Sequence, residues 1–383
     1  MNIYFFKPKD ILYILLGIFL LCSCQQKERD FSTSLIEVDV TSNAKLKLSD
    51  FFENFRMVKL QSDVVIGGIR RIRYENNLIY ISDVKTLFVF SNSGELLSYF
   101  NHSGVGPREY VGITDFVVDD DTITILDRTS QKLLKYNHSG DYFSEHKLGY
   151  YAWAISPTVD RYNFLYCGYE NILLNFPSKL RRMCSGQPDS LYLFIKENQA
   201  DFMHFRYKDN FFRNQDAVYF FELFNDTIYK SIRGSNIQPF YCVDYKGKNV
   251  PSSFFSGNYA NVVEFRQEYN KTSYAHGVFS FVEFDRFLMF GSNYQQKIKL
   301  TIFDRKEEIS HTFSDVVDDV YFNDLTFPEI MSYQADKHIF FIINAYQAVE
   351  WRKENSPKER FKEIVNDTEE DDNPLLLIFD FKQ

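Results

Sequence analysis

Two tandem copies of one pattern between Ile69 and Tyr151 constrain the fold of this chain more than any other feature. The stretch Ile72–Asp83 aligns with Phe116–Asp127 at an offset of 44 residues. Each copy alternates short apolar runs with turns that contain Asn, Asp or Gly, residues that tolerate the positive φ of tight hairpins. Four short strands are therefore predicted in each copy. Four strands in about 44 residues are typical of a β-propeller blade.

The two copies predict strand positions, and the later chain is less regular. We expect strands near 69–74, 78–82, 86–90 and 96–100 in the first copy and near 113–118, 122–126, 132–136 and 142–147 in the second. Further on, we assign residues 177–190 to a polar loop in which a compact basic group, including Lys179 and Arg181, is solvated. A short helix is predicted near Asn261–Tyr269.

An isolated alternating stretch before the repeats suggests how the ring of blades closes. Phe55–Leu60 has the period of two that is expected of a strand. A ring of blades leaves its last sheet one strand short unless the N-terminus completes it, so we expect this strand to pair beside Leu375–Phe381. The expected fold class is all-β: a six-bladed β-propeller of four-stranded antiparallel blades, closed by an N-terminal strand. Seven blades are the alternative, and the long insertions favour six.

The N-terminus carries the features of a bacterial lipoprotein signal. Two lysines precede the apolar run Ile11–Leu21, which has about the length of a signal-peptide core and is short for a membrane span. The run ends in Leu21-Cys22-Ser23-Cys24, which resembles a lipobox with Cys24 as the lipidated first residue of the mature chain. An uncleaved anchor or a buried hairpin is the alternative. A lipid tail would hold the protein on a membrane while its domain stays in water.

The predicted organisation of the chain follows from these signals. Residues 1–23 form the signal peptide, residues 24–50 a tether, and residues 51–383 a single propeller domain with a polar insertion near 350–373. We expect the protein in the bacterial cell envelope, lipid-anchored to the outer membrane. Whether the domain faces the periplasm or the outside is left open.

Charge and cysteine content limit the classes of partner. The net charge of −9 argues against a nucleic-acid surface, which needs clustered Lys and Arg. The cysteines left after processing are Cys167, Cys184 and Cys242, and their spacing does not indicate a metal site. One disulfide with a free partner and three buried thiols are both compatible with the sequence.

Several segments resemble a known group of proteins. The strand ends IYISD and ITILD, the alternating strand before them and the connector GVGPREY (Gly104–Tyr110) resemble the six-bladed β-propeller lipoproteins of Gram-negative gut-type bacteria. That group is related to NHL-repeat propellers and is largely uncharacterised. The similarity covers about residues 55–150, and NPLLLIFDF near the C-terminus is consistent with it. The resemblance implies the propeller fold and the envelope location, but no activity and no catalytic residues.

The glycine-rich connector Gly104–Tyr110 supplies a candidate ligand site. In a propeller, the connection from an outer strand to the next blade shares one face with the loops between second and third strands. The connector is therefore expected beside the loops Asp83–Thr86 and Asp127–Ser130. The side chains of this candidate ligand rim, suited to a carboxylate or a sugar, are Arg108, Glu109, Tyr110, Asp83, Lys85, Asp127 and Arg128. The alternative is that they clamp neighbouring blades and accept N–H bonds at strand ends.

No catalytic set is recognisable in the sequence. The seven histidines show no HExxH motif, and no GxSxG nucleophile elbow occurs. We therefore expect a lipid-anchored binding or scaffold module that presents one propeller face to a glycan, peptide or protein partner, without a cofactor. The alternative is a metal-dependent hydrolase or lyase in the central channel, with a calcium ion held by carboxylates such as Asp115 and Glu283.

Overall fold

Short alternating strands joined by tight turns build six sheets arranged as a six-bladed β-propeller, which confirms the predicted fold class. The computed structural model describes residues 33–382, apart from 161, 175, 185–186, 197–198, 200, 206–208, 323–324, 328–332 and 336–337. The predicted signal peptide, Cys24 and the first part of the tether lie outside the described residues. No helix in the described part of the chain is both long and apolar enough to cross a membrane.

The first strands of the described chain belong to blades that are completed much later. They are β1 (Ser34–Glu37), β2 (Ala44–Lys47) and β3 (Phe52–Lys59), with the one-turn helix α1 (Leu48–Phe51) between β2 and β3. Residues 34–47, which the sequence analysis assigned to a tether, therefore contain two paired strands.

Blades 1 and 2 correspond to the tandem copies. Their strands are β4 (Arg71–Glu75), β5 (Leu78–Ser82), β6 (Leu87–Ser91) and β7 (Leu96–Phe100), then β8 (Asp115–Asp119), β9 (Thr122–Asp127), β10 (Lys132–Tyr136) and β11 (Tyr142–Lys147). Each strand pairs antiparallel with the next, and β4 and β8 are innermost. Asn76 and Asn77 have φ of 51° and 62°, as the predicted hairpin turn requires.

Blade 3 corrects the prediction of a polar loop over 177–190. Its strands are β12 (Ala154–Pro157), β13 (Asn163–Tyr166), β14 (Ser178–Cys184) and β15 (Gln187–Phe194). Lys179 and Arg181 lie on β14, and the buried Arg181 guanidinium is 4.1 Å from the Tyr150 ring centroid. The local pattern did not indicate a strand because Arg181, a long basic side chain whose stem packs like an apolar one, occupies one of its buried positions.

Blades 4 and 5 each have a fifth, parallel strand at the outer edge. Their own strands are β16 (Phe211–Asn214), β17 (Ala217–Phe220), β18 (Thr227–Ile232) and β19 (Gln238–Asp244), then β20 (Ala275–Glu283), β21 (Phe287–Tyr294), β22 (Lys297–Asp304) and β23 (Ile309–Asp318), with β24 (Leu325–Phe327) pairing with β23. β1 pairs in parallel with β19, and β2 with β23. Helix α2 (Val262–Asn270) lies between the two blades in sequence and confirms the predicted helix.

Blade 6 closes the ring as predicted. It consists of β25 (Tyr333–Ala335), β26 (His338–Ile343), β27 (Leu375–Phe381) and, antiparallel to β27, the N-terminal strand β3. Met57 lies opposite Leu377 in this pairing. The polar insertion between β26 and β27 contains α3 (Ala345–Glu354) and α4 (Lys362–Asn366).

The hydrophobic core is divided among the boundaries between blades. At the boundary of blades 6 and 1, for example, Ile79 and Ile81 of β5 pack in one cluster with Phe340 of β26 and Leu376 of β27. Each blade therefore buries its apolar side chains against its neighbours, so that closing the ring is needed to complete the core.

Long connections collect on one face of the propeller. Strand alternation places the loops between second and third strands on the same face as the connections to the next blade. The three longest of these segments are 195–210, 245–274 and 344–374. We call this the insertion face.

Candidate functional site

The structure brings the connector beside the two predicted loops. The Tyr110 hydroxyl donates to the Lys85 carbonyl at 2.8 Å, and the Val111 N–H donates to Asp127 Oδ2 at 2.8 Å. Asp83 Oδ1 accepts the N–H of Lys85 at 2.7 Å. Tyr110 and Asp127 are buried, and burial raises the pKa of the Tyr110 phenol to about 12. The Tyr110 hydroxyl and the carboxylates of Asp127 and Asp83 thus form hydrogen bonds with backbone groups of the connector and of the loops. The Lys85 side chain is exposed.

Glu109 and Arg108 have different environments within the connector. Glu109 Oε2 accepts the Gly106 N–H at 2.8 Å, and a Cβ on Gly104 would lie only 2.0 Å from that oxygen. A side chain at position 104 would therefore displace the Glu109 carboxylate from the loop. Arg108 is exposed, and its guanidinium lies 5.2 Å from the ring centroid of Tyr142, which begins the outermost strand of blade 2.

Arg128 is held at the boundary of blades 2 and 3. Its guanidinium carbon lies 3.8 Å from the Trp153 ring centroid and 4.8 Å from that of Tyr151, and it forms an ion pair with Glu170. Stacking and pairing together fix the side chain. Tyr110, Asp127, Glu109 and Arg128 are thus engaged by groups of the protein itself, and the role of the seven rim residues in ligand binding stays a prediction.

The channel carboxylate Asp115 is paired with two arginines of the innermost strand β4. The distances from its Oδ1 to Arg71 Nε and Arg73 Nη2 are 3.2 and 3.0 Å. Its Oδ2 accepts the Ile155 N–H at 2.9 Å. The cavity beside Arg73 in the channel has a volume of only about 70 Å³. A buried carboxylate satisfied in this way is poorly placed to bind calcium.

The second channel candidate, Glu283, is buried between blades 4 and 5. Its Oε1 accepts the Tyr219 hydroxyl at 2.5 Å and lies 3.5 Å from Arg305 Nη1 and 3.9 Å from Lys230 Nζ. Within the described ranges, no three or more His, Cys, Asp or Glu side chains are grouped to hold a metal ion.

Two of the remaining cysteines have free thiols. Cys167 is buried, and burial raises the pKa of its thiol to about 12. Cys242 is free and half-buried. The side chain of Cys184 lies outside the described residues. Neither described thiol has the low pKa of a reactive cysteine.

A cavity of about 510 Å³ opens on the insertion face between blades 4 and 5. We call it the blade 4–5 pocket. The connection from blade 3, the loop after β17, helix α2, the start of β20 and the β21–β22 hairpin contribute to it. Its volume falls within the range of small-ligand sites, about 300–1,000 Å³. The lining residues are His204, Phe205, Leu223, Phe224, Arg266, Tyr269, Asn270, His276, Phe279, Asn293, Gln296 and Ile298.

Aromatic rings form one wall of the pocket. His276 and Phe224 stack face to face, with centroids 3.9 Å apart and 2° between their planes. Tyr269 meets the His276 ring edge-on at 4.6 Å. Phe224 has a φ of 59°, a conformation that bulky residues rarely adopt and that the surrounding packing must enforce. The backbone is therefore strained at Phe224, the residue whose ring stacks on His276.

The protonation state of His276 follows from its neighbours. The Tyr269 hydroxyl donates its only proton to the Tyr274 carbonyl at 2.6 Å, so it accepts from His276 Nδ1 at 2.6 Å. His276 is only 9% exposed, and burial lowers its pKa to about 3. The ring is therefore neutral near pH 7, with Nε2 as an acceptor. Nε2 has no hydrogen-bond partner among the residues that the structure describes.

An irregular strand turns Phe279 into the pocket. The pairing of β20 with β21 shifts register on both sides of this residue. The Phe279 ring covers Gly291, where a Cβ would lie 2.2 Å from a ring carbon. Bulges redirect side chains in this way, and the missing side chain of Gly291 leaves room for the ring.

None of the lining side chains is acidic, and several of the polar ones have no partner in the described part of the chain. Arg266 is exposed, with its guanidinium 5.7 Å from the Phe205 ring centroid. In the described part of the chain it has no ion-pair partner, and the side chains of Asn270, Asn293 and Gln296 have no hydrogen-bond partner there. Guanidinium and amide groups are thus free to bind a ligand.

A buried ion pair supports the pocket from the side of blade 3. Lys179 contacts Glu222, and Lys179 Nζ donates to the Tyr169 hydroxyl at 3.2 Å. Burial acts to lower the Lys179 pKa, but the Glu222 carboxylate and the Tyr169 hydroxyl outweigh it and raise that pKa above its ordinary value. Glu222 precedes Phe224 by two residues. The pair therefore fixes the start of the loop that carries the strained Phe224.

No pattern in the sequence indicated the blade 4–5 pocket. Its residues are spread from His204 to Ile298, and no motif or spacing links them. The one available signal was the predicted helix Asn261–Tyr269, which lies in an irregular region between recognisable strands. Such a helix inserted between propeller blades can cover a surface site.

The fold and the pocket define a six-bladed β-propeller with a ligand-sized cavity on its insertion face. The chain matches, over residues 33–380, the model of a family described as "Domain of unknown function (DUF4934)". It belongs to this family. Comparison with curated proteins gave no match.

Several solved structures are similar to this chain. A protein of Bacteroides fragilis assigned as exported is 19% identical, with a TM-score of 0.73 over 92% of this chain and 100% of that chain. A member of the DUF4221 family from Bacteroides vulgatus is 10% identical, with a TM-score of 0.47 over 86% of this chain and 97% of that one. Virginiamycin B lyase from Staphylococcus aureus is 12% identical, with a TM-score of 0.43 over 77% and 83%. The first similarity supports the fold, and the other two are too remote to support an argument.

Proposed function

We propose that this protein is a lipid-anchored, NHL-like propeller of the bacterial cell envelope that presents its insertion face to a glycan, peptide or protein ligand. The blade 4–5 pocket carries the proposal. It combines a ligand-sized volume, a preformed aromatic wall and polar side chains without partners in the described chain. Pockets with these properties are the usual sites of small-ligand binding.

Two observations support the envelope location. The motif Leu21-Cys22-Ser23-Cys24 follows an apolar run as a lipobox would, and the similar protein from Bacteroides fragilis is assigned as exported. Counting from Cys24 to Ser34 gives ten residue steps (34 − 24), which span at most about 36 Å when fully extended. A lipid on Cys24 would therefore keep the propeller close to the membrane.

The alternative of a metal-dependent hydrolase or lyase in the channel receives less support. Asp115 is neutralised by Arg71 and Arg73, and Glu283 is occupied by Tyr219 and nearby cations. The space beside Arg73 is also too small for a substrate. Binding on the insertion face is therefore favoured over catalysis in the channel.

Ligand capture tests the binding proposal. Purified full-length protein would be applied to glycan and peptide arrays and crosslinked to partners on intact cells. Asn293→Trp fills the pocket and should abolish the specific signal. Lys297→Trp, which adds the same ring at an exposed neighbouring position outside the lining, should keep it. A signal that survives Asn293→Trp, or no specific ligand in either assay, would contradict the proposal.

Fatty-acid labelling tests the anchor separately. Cells fed an alkyne-tagged fatty acid should label the wild-type protein, and Cys24→Ala should remove the label and release the protein from the membrane fraction. Cys22→Ser is the matched control, because it changes a cysteine two residues away and should retain the label. Equal labelling of the Cys24→Ala variant would rule out lipidation at this residue.

A further inference from the structure

We propose that the blade 4–5 pocket binds a sugar residue that carries a carboxylate, so that the ligand is an acidic glycan. This inference rests on the proposed binding function and assigns its ligand class. The carboxylate would pair with Arg266, the hydroxyls would bond to His276 and to the amides of the rim, and the ring would lie against the aromatic wall.

The charge of the pocket selects an anion. The chain has 52 acidic and 43 basic residues, yet the lining contains Arg266 and no acidic side chain. Arg266 has no ion-pair partner in the described chain, so a ligand carboxylate would not compete with a protein carboxylate for it. A guanidinium offers two parallel N–H donors that match the geometry of a carboxylate. Cationic ligands would find no counter-charge in this lining.

The hydrogen-bonding groups of the pocket select a polyhydroxylated ligand. His276 Nε2 can only accept, because Nδ1 carries the ring proton and donates it to the Tyr269 hydroxyl. An acceptor beside a ligand needs a donor such as a hydroxyl group. Asn270, Asn293 and Gln296 each offer one acceptor oxygen and two N–H donors, so they suit hydroxyls, which both donate and accept.

The aromatic wall matches the remaining surface of a sugar. A pyranose ring has one or two flat faces of C–H groups, and these pack against the faces or edges of aromatic rings. Phe205 and Phe279 contribute aromatic surface to the lining. Because packing and the strained Phe224 backbone fix the wall, little ordering is required when the ligand binds.

Affinity measurements with matched sugars test the ligand class. Full-length protein would be titrated with disaccharides that end in glucuronate or galacturonate, and with their glucose- and galactose-ended counterparts, alongside an array of acidic and neutral glycans. We expect at least one acidic sugar to bind about 10-fold or more tightly than its neutral counterpart, since bonds to charged groups contribute that much. Equal affinity for acidic and neutral sugars, or no bound sugar at all, would overturn the inference.

Variants of the pocket assign the contacts. Arg266→Ala should weaken acidic-sugar binding about 10- to 100-fold and change neutral-sugar binding less than about 2-fold. Arg266→Lys should restore part of the loss. His276→Phe keeps an aromatic ring but removes Nε2, and it should weaken the binding of both the acidic and the neutral sugar. Lys271→Ala removes a positive charge at the end of helix α2, outside the pocket lining, and should leave the affinity for both sugars unchanged. An Arg266→Ala variant with unchanged acidic-sugar binding would contradict the assignment, whatever the behaviour of His276→Phe.

The outcome separates this inference from the proposed function. If no sugar binds but a peptide or protein is captured and then lost in Asn293→Trp, the ligand class is wrong and the binding function stands. If nothing is captured by any route, both are wrong.

Discussion

Lys179 and Arg181 are charged residues whose side chains lie in the interior of this propeller. Both lie on β14, where the sequence suggested a solvated loop, and both are surrounded by aromatic rings and carboxylates. A buried ion pair contributes little net stability, but removal of one partner leaves a charge without compensation. Single substitutions at such pairs should therefore have large effects.

Glu222→Gln should strongly destabilise the protein. The substitution leaves the Lys179 ammonium buried beside a neutral amide, and breaking buried pairs of this kind costs about 3–5 kcal/mol. The free energy of unfolding in urea would be measured. Asp216→Asn breaks the exposed pair with Arg233, which water screens, and should lower the free energy of unfolding much less than Glu222→Gln does. Equal effects of the two substitutions would show that Glu222 does not compensate a buried charge.

His276 should make folding stability depend on pH between about 3 and 6.5. Burial lowers the folded-state pKa to about 3 from the ordinary 6.5, so in this interval the unfolded chain binds a proton that the folded chain does not. Stability from this group therefore falls as pH decreases from 6.5 towards 3, by at most about 1.4 kcal/mol per pH unit. When the free energy of unfolding is measured between pH 8 and pH 4, it should decrease less steeply with falling pH for His276→Phe than for the wild-type protein. Parallel profiles would contradict the assignment.

At the scale of elements, the N-terminal segment is attached to three consecutive blades. β1 and β2 extend blades 4 and 5 in parallel, and β3 completes blade 6. These strands cover outer edges that would otherwise present unpaired backbone groups. Parallel pairing with strands about 200 and 270 residues away leaves no local sequence signal.

Two neighbouring residues of β1 test whether this segment contributes stability. Ile36 is fully buried in the largest core cluster, whereas Leu35 beside it is 55% exposed. Ile36→Ala should cost about 2–5 kcal/mol because it leaves a cavity. Leu35→Ala should stay within about 0.5 kcal/mol. If denaturant unfolding finds both substitutions neutral, the segment is not docked on blade 4 in solution.

At the scale of the whole molecule, the β3–β27 pairing joins the two ends of the ring. Val58 of β3 packs in one cluster with Ile72 and Ile79 of blade 1 and with Phe340 of blade 6. A substitution that disrupts this cluster should therefore destabilise blades 1 and 6 together, although they are far apart in sequence.

Val58→Asp should loosen the first and last blades together. The buried, unpaired carboxylate disrupts the shared cluster, so amide hydrogen exchange should accelerate in both β5 and β26. Leu97→Asp, on the outer strand β7 where the side chain is 51% exposed, is the matched control and should leave both strands protected. Faster exchange in blade 6 alone would show that the two blades do not share a core.

The sequence by itself determined the propeller fold. Alternation and turn chemistry are local properties, so the tandem copies gave the strands of blades 1 and 2 to within about two residues. The isolated strand near Phe55–Leu60 gave the ring closure, because a closed ring allows few partners for an unpaired strand.

Only the tertiary structure decided where a ligand can bind. The predicted rim residues Arg128 and Asp127 are engaged by groups of the protein itself, Glu170 and the Val111 N–H. The blade 4–5 pocket needs a helix, two loops, a bulged strand and a hairpin from nearly 100 residues of chain to meet. Strain at Phe224 and the neutral state of His276 exist only in that environment. Long-range packing creates them, and no local pattern in the sequence encodes it.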